Sequence, residues 1–363
     1  MKIDLKLITR LCLVAVVATG FAIPLNASLA TLQETAEQEE VEEEEESVAD
    51  LMRKAGQAFQ SGDAEEALGY VDRALELDDE DFQLKLAKLQ ILGQHAGQIA
   101  DTDRAAANQH YYSAAKVARQ LLDDKTVMED FGDRLGPMLG GAIYNEACSL
   151  SLDGKKEEAL ASLKESFMVG FNDFELAQSD SDLSNISDSD MFTEIVESAR
   201  TAAVEKVMAM ARKEIEEFES FDFDFELEDV KGETVSLSSY SGKVLIVDFW
   251  GTWCPPCREE IPSFIKLKNT YGEKGFDIVG INYERSSGDE AVEMIVDYIE
   301  ENDMNYNCVI GNDETSDQVN VTGFPTTLFI DAKGKVRMKV VGLHPYEQLE
   351  AYVKLLMEEN QGG

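Results

Sequence analysis

Two apolar periods divide the chain. From Val48 to about Glu219, apolar residues recur every three or four positions among Ala, Leu, Glu and Lys. Pro137 is the one proline, and the pattern predicts helices almost throughout. Leu51 to Asp79 reads as a helical hairpin, with small residues at Ala55 and Ala58, a turn at Ser61-Gly62-Asp63, then Ala67, Val71 and Ala74. A second hairpin starts near Ile143, with Ala147 before the turn Asp153-Gly154-Lys155 and Ala159 and Leu163 after it. A degenerate middle unit fits between them, with Tyr111 to Leu122 as one of its helices. Stacked helical pairs bury a core only against their neighbours, so an all-α solenoid of about three units is expected over 48–219.

At Phe221 the period drops to two. Phe221, Phe223, Phe225 and Leu227 alternate with acidic residues as one strand, and Thr234 to Leu237 forms a second after the turn Asp229 to Gly232. Val244 to Trp250 is a nearly unbroken apolar run, suited to the middle of a sheet covered on both faces. A helix over Pro256 to Tyr271 follows, then a strand at Phe276 to Asn282, a helix at Glu290 to Asn302 and a strand at Asn307 to Ile310. Thr326 to Ile330 and Val336 to Val341 close a hairpin around Asp331-Ala-Lys-Gly334, and Glu347 to Glu358 is a last helix. This order predicts an α/β domain over 221–360 with a mixed central sheet flanked by helices.

The first hairpin resembles the tetratricopeptide repeat at Leu51, Ala55, Ala58, Phe59, Gly62, Ala67, Val71 and Ala74, with Asp79 where that motif ends in proline. Gly170 to Phe174, Asp182-Leu183 and Met191-Phe192 resemble the segment that closes such repeats in some bacterial proteins. The resemblance implies a spacer or a docking surface for a protein partner.

The N-terminus changes the setting. Lys2, Lys6 and Arg10 precede an apolar run from Leu11 to Ile23, Pro24 breaks it, and Ser28-Leu29-Ala30 places small residues at a cleavage site. Residues 1–30 are therefore expected to be a cleaved signal peptide, too short to span roughly 30 Å of hydrocarbon. An uncleaved anchor extended by Leu5 to Ile8 is the alternative, opposed by the cations inside it. The mature protein is expected in the periplasm or an equivalent extracytoplasmic space. Residues 31–47 hold the run Glu37 to Glu46, a self-repelling linker expected to be disordered. The whole chain has 32 basic against 72 acidic residues, a net charge of −40, which opposes binding to nucleic acid or anionic lipid.

Cleavage after residue 30 would leave four of the five cysteines, too few for a disulfide-stapled scaffold. The close pair in Trp253-Cys254-Pro255-Pro256-Cys257 lies where a buried strand meets a helix. Unpaired N–H groups and a partial positive charge at that helix start stabilise a thiolate. Cys254, nearest the open end, is expected to be the exposed nucleophile, and Cys257, one turn on, the more buried resolving thiol. Two prolines between the sulfurs fix the backbone and remove two donors. A zinc site would need a second such pair, and His95, His110 and His344 show no metal-ligand spacing to it or to each other. No metal and no cofactor beyond the cysteine pair is expected. Cys308, in a strand read as interior, and Cys148, at a helix-packing position, read as buried small hydrophobes.

Val247 to Pro262, with Gly323-Phe-Pro-Thr-Thr327 further on, resembles the thioredoxin superfamily, and within it the TlpA/ResA-like extracytoplasmic thiol–disulfide oxidoreductases. The resemblance covers about residues 221–360 and implies a thioredoxin fold with Cys254 and Cys257 as the active pair. It makes Pro325 a cis-proline opposite the disulfide, with Phe324 and Thr326 beside it at the substrate strand, and Pro262 a kink in the active-site helix. Trp253 would cover the sulfurs, Pro255 and Pro256 would face substrate, and Trp250 would pack in the core. Asp248 matches the buried acid of thioredoxins and Glu260 an active-site glutamate of the ResA-like branch, both candidates for proton transfer. The lysine that thioredoxins place near the acid is missing, Gly280 standing there.

The implied activity is reduction of protein disulfides, with substrate proteins carrying disulfides or thiols as partners and a membrane protein as electron donor. Two other readings stay open on the residues alone. One is a peroxiredoxin-like peroxide reductase, which the tight cysteine pair opposes. The other is a non-enzymatic scaffold that docks extended peptides.

Overall fold

A computed structural model describes residues 46–362, so the expected signal peptide and all but the end of the acidic segment lie outside the described residues. The chain forms two compact units that divide at Thr201/Ala202.

The first unit is built from helices α1 (Val48–Gln60), α2 (Ala64–Leu77), α3 (Phe82–Ile99), α4 (Arg104–Asp123), α5 (Lys125–Leu152), α6 (Lys156–Val169) and α7 (Phe174–Ser179), followed by the start of α8 (Asp190–Glu217). Glu46 and Ser47, the last residues of the expected linker, are ordered: Ser47 caps α1, and Glu46 pairs with Lys54 and Arg73. Asp63, Asp81, Asp103, Asp124 and Asp173 each accept backbone N–H groups at a helix start. Part of the acidic excess is thus structural, each cap contributing about 1 kcal/mol. Alanines fill the seams, with Ala55, Ala67, Ala74, Ala96, Ala114, Ala115, Ala118, Ala147 and Ala159 all buried. Small side chains let the paired helices approach closely. The middle pair is α3–α4, and Pro137 lies inside a continuous α5 that starts well before Ile143.

The second unit is a six-stranded mixed sheet in the order β1-β8-β7-β4-β5-β6, with a separate β2–β3 hairpin. The strands are β1 (Phe221–Asp222), β2 (Glu226–Glu228), β3 (Thr234–Ser236), β4 (Val244–Trp250), β5 (Phe276–Asn282), β6 (Asn307–Ile310), β7 (Thr326–Ile330) and β8 (Lys335–Val341). The helices are α9 (Pro255–Tyr271), α10 (Asp289–Glu301), α11 (Asp313–Gln318) and α12 (Tyr346–Gly362). β4 runs parallel to β5 and antiparallel to β7, and every one of its residues is buried, as its apolar run required. Val244, Ile246 and Trp250 face a core shared with α9, α10 and α12, while Leu245, Val247 and Phe249 face Phe223, Phe225 and the β2–β3 hairpin. By this alternation Asp248 lies on the α9 side.

Three features depart from the sequence reading. The alternating run 221–227 is split: β1 pairs with β8 and β2 with β3, with the buried Phe223 and Phe225 between them. β6 is the sheet edge rather than an interior strand, although Cys308 on it is buried beneath Trp250 and its neighbours. The units divide inside α8 and not at 219–221, because Ala211 and Ile215 pack into the second unit's core.

Candidate functional site

β4 delivers the chain to Gly251, where it turns through Trp253 into α9. Cys254 is the N-cap of α9, its Sγ accepting from the Cys257 N–H at 3.3 Å, with Pro255 and Pro256 in the first turn. Prolines fit there because the first helical N–H groups lack partners in any case. Cys254 and Cys257 are joined as a disulfide with Cα atoms 5.3 Å apart. The expected difference in exposure is not seen in this oxidised pair, where Cys254 is 2% and Cys257 1% exposed. Both sulfurs belong to a buried cluster against which the rings of Trp253 and Phe324 pack, edge to face with each other at 5.4 Å. Pro255 is exposed and Pro256 half-buried, leaving the outer rim of the pair to solvent.

The Phe324–Pro325 peptide is cis, and Pro325 is buried at the start of β7. Thr326 is fully buried with its hydroxyl donated to the Gly323 carbonyl at 2.7 Å, so it shapes the loop from within. Pro262 sits inside a continuous α9.

Two acids are buried on the elements that flank the disulfide, Asp248 on β4 and Glu260 on α9. Glu260 is one turn past Cys257 on α9, a spacing that places both on one helix face, and it is fully buried rather than solvated. Its Oε1 accepts from the His344 N–H at 2.9 Å, and its Oε2 is buried without a partner. Burial pushes Glu260 up to about 7, against the opposing pull of the His344 amide and Thr327. Asp248 is buried too, with Oδ1 unpartnered, and is held well above the usual carboxylate range, first by burial and then by the charge of Glu260. The Thr327 hydroxyl lies near both acids and lowers each, yet completes a hydrogen bond to neither. Asp248 and Glu260 thus form a coupled pair of buried carboxyls.

Gly280, which the resemblance aligns with the thioredoxin lysine, pairs with Asp248 across β4–β5. A Cβ there would meet Trp250 Nε1 at 2.7 Å and Cys308 Sγ at 3.4 Å. The Trp250 indole fills the space a lysine would need, so Asp248 has Glu260 and not a cation as its charged neighbour.

Sequence reasoning missed the segment after β5. Trp253 Nε1 donates to the Tyr283 carbonyl at 2.7 Å, and the Arg285 guanidinium lies over the Trp253 ring at 4.3 Å. Glu284 accepts from the Thr252 N–H at 2.8 Å, the Thr252 hydroxyl at 2.9 Å and Asn282 Nδ2 at 3.0 Å, clamping the loop before the cysteines. A Cβ on Gly251 would meet Trp253 Nε1 at 2.5 Å and the Tyr283 carbonyl at 2.9 Å, which only glycine avoids. One signal could have pointed here: parallel neighbours β4 and β5 end on the same sheet edge, where sites of α/β folds gather.

Cys148 is buried beside Asp180, its Sγ 3.6 Å from Oδ2, and Cys308 is buried as well, so burial pushes both thiols up and away from reactivity. His95 and His110, which sequence spacing kept apart, face each other across α3 and α4 with ring centroids 4.8 Å apart. Among the described residues no helix is long and apolar enough to cross a membrane.

Comparison with known proteins adds to this geometry. A model described as the AhpC/TSA family matches residues 218–339. The chain is 32% identical over 132 residues to the thiol-disulfide oxidoreductase ResA of Bacillus thuringiensis subsp. konkukian, covering 36% of this chain and 73% of that protein. It is 30% identical over 132 residues to the thioredoxin-like protein YneN of Bacillus subtilis, covering 36% of this chain and 76% of the other. Among solved structures it is similar to a thiol:disulfide interchange protein of the thioredoxin family from Chlorobium tepidum TLS, at 30% identity and a TM-score of 0.35, over 38% of this chain and 94% of that one.

Proposed function

This chain belongs to the thiol–disulfide oxidoreductases of the thioredoxin superfamily that include the ResA proteins, and from that membership we propose that it reduces protein disulfides outside the cytoplasm. The observation that carries this reading is the Cys254–Cys257 disulfide at the start of α9, with two carboxyls buried on the flanking β4 and α9. The leader-like pattern of residues 1–30 supports the location, and the paired helices of the first unit support a role in holding a protein partner.

In the proposed cycle the reduced enzyme presents Cys254 as a thiolate, stabilised by the start of α9. It attacks one sulfur of the substrate disulfide, forming a mixed disulfide and releasing the other substrate sulfur as a thiolate. Cys257 then gives its proton to the Asp248–Glu260 pair and attacks Cys254 Sγ. The second substrate sulfur leaves as a thiolate and takes that proton back from the carboxyl pair, the first takes one from solvent, and the substrate departs as a dithiol while the enzyme keeps the disulfide. Two electrons and two protons from a membrane donor regenerate the dithiol. A carboxyl raised by burial suits this step, since when ionised it is a stronger base than an exposed carboxylate. The Phe324–Pro325 segment aligns an extended substrate chain, and Trp253, fixed by Tyr283 and Arg285, borders the sulfurs. The adjacent pair gives disulfide exchange precedence over peroxide reduction, and its redox linkage sets it apart from a docking scaffold.

The test is trapping. Cys257→Ser should accumulate a mixed disulfide between Cys254 and a model protein substrate, and Cys254→Ser should accumulate none. Equal trapping by both variants, or by neither, would remove the assigned roles.

A further inference from the structure

Outside the cysteine site, among the described residues, one cluster joins ligating side chains from three helices. Glu65 stands in the first turn of α2, His95 in the last turns of α3 and His110 early in α4. Both imidazoles direct Nε2 at one oxygen, Glu65 Oε1, at 3.5 Å from His95 and 3.2 Å from His110. The three ligand atoms lie within 4.8 Å of one another, and the rings meet at 68°, edge to face rather than stacked. The histidine side chains are 16% exposed and the glutamate 69%.

These separations exceed the about 2.7–2.9 Å of charge-assisted hydrogen bonds. The two carboxylate–imidazole separations match the edge of a tetrahedron, about 3.3 Å for metal–ligand bonds of about 2.0–2.1 Å, and the third, within 4.8 Å, would close on binding. Two imidazole nitrogens and one carboxylate suit borderline cations such as zinc, whereas calcium and magnesium favour oxygen sets.

We infer that Glu65, His95 and His110 form a binding site for one divalent transition-metal ion of the zinc class. The two half-buried histidines supply the inner side of the site. The exposed carboxylate closes the third position, and the fourth opens to solvent, where water or a partner's side chain completes the shell. Because the ligands come from α2, α3 and α4, a bound ion cross-links two successive helical pairs. Binding then adds to the stability of the first unit by mass action.

The experiment titrates Zn²⁺ into the full-length mature protein, with Cys254 and Cys257 kept oxidised so that free thiols cannot compete. Excess Mg²⁺ occupies weak acidic surface sites. One equivalent should bind, raise the melting temperature and be replaceable by Co²⁺ with the visible bands of a tetrahedral nitrogen–oxygen site. The double variant His95→Gln, His110→Gln should lose at least about 100-fold in affinity, since even outer partners of metal ligands are worth about 10–100-fold. Glu65→Gln, at an exposed helix start, folds independently of this question and should weaken binding while keeping the fold. An ion pair alone predicts no stoichiometric binding and equal Zn²⁺ titrations for wild type and Glu65→Gln, and either result would overturn the assignment.

Discussion

In the helical unit the buried hydroxyls of Ser149, Ser162 and Ser166 donate to Asn145 O, Glu146 and Leu163 O, and Arg119 is gripped by Glu146 and Glu165. In the thioredoxin-fold unit Asp248 and Glu260 are buried as deeply, yet each leaves a carboxyl oxygen unpartnered. The helical unit has its own buried atoms without partners, at Asn108, Ser151 and Arg200, but these belong to neutral groups or to an arginine otherwise paired. The contrast separates two uses of buried polarity. Satisfied groups fix how helices stack, and carboxyls left unsatisfied hold protons for chemistry.

The sharpest way to break this comparison is at Glu260. A carboxyl raised from 4.5 to about 7 binds its proton more tightly folded than unfolded. The stability that Glu260 contributes is therefore greatest below about pH 4.5, falls as pH rises, and levels off above about pH 7. Glu260→Gln should remove about 3 kcal/mol of that loss, seen as a smaller drop in unfolding free energy between the two ends of the window. An unchanged pH profile would mean that Glu260 is not a buried, titrating acid. In the helical unit, Ala67→Leu should overpack the α1–α2 seam and cost about 1–3 kcal/mol in denaturant unfolding. It should leave reduction of a small disulfide and its pH profile unaltered. A changed pH profile would show that the units do not divide their roles as argued.

Much of this is legible in the sequence alone. The apolar run of β4, the cysteine pair after it and the closing hairpin each carry their signal in neighbouring residues. What was hidden depends on contacts between distant ones. Glu260 is singled out only by resemblance, and its neighbours along the chain cannot say that His344 and Thr327 enclose it. Glu284 and Arg285 lie in a polar stretch that looks like any loop until β5 brings it against Trp253. The alternation of Phe221 to Leu227 is real, but alternation does not name a partner strand, and the run divides between β8 and β3. His95 and His110 meet only because the α3–α4 turn folds them together.

The most direct test of the central claim is the reduction potential of the Cys254–Cys257 pair, obtained by equilibrating the mature protein with thiol–disulfide buffers. The account predicts a reducing value near that of thioredoxin, about −270 mV. A value near that of a dedicated oxidant, about −120 mV, would contradict it.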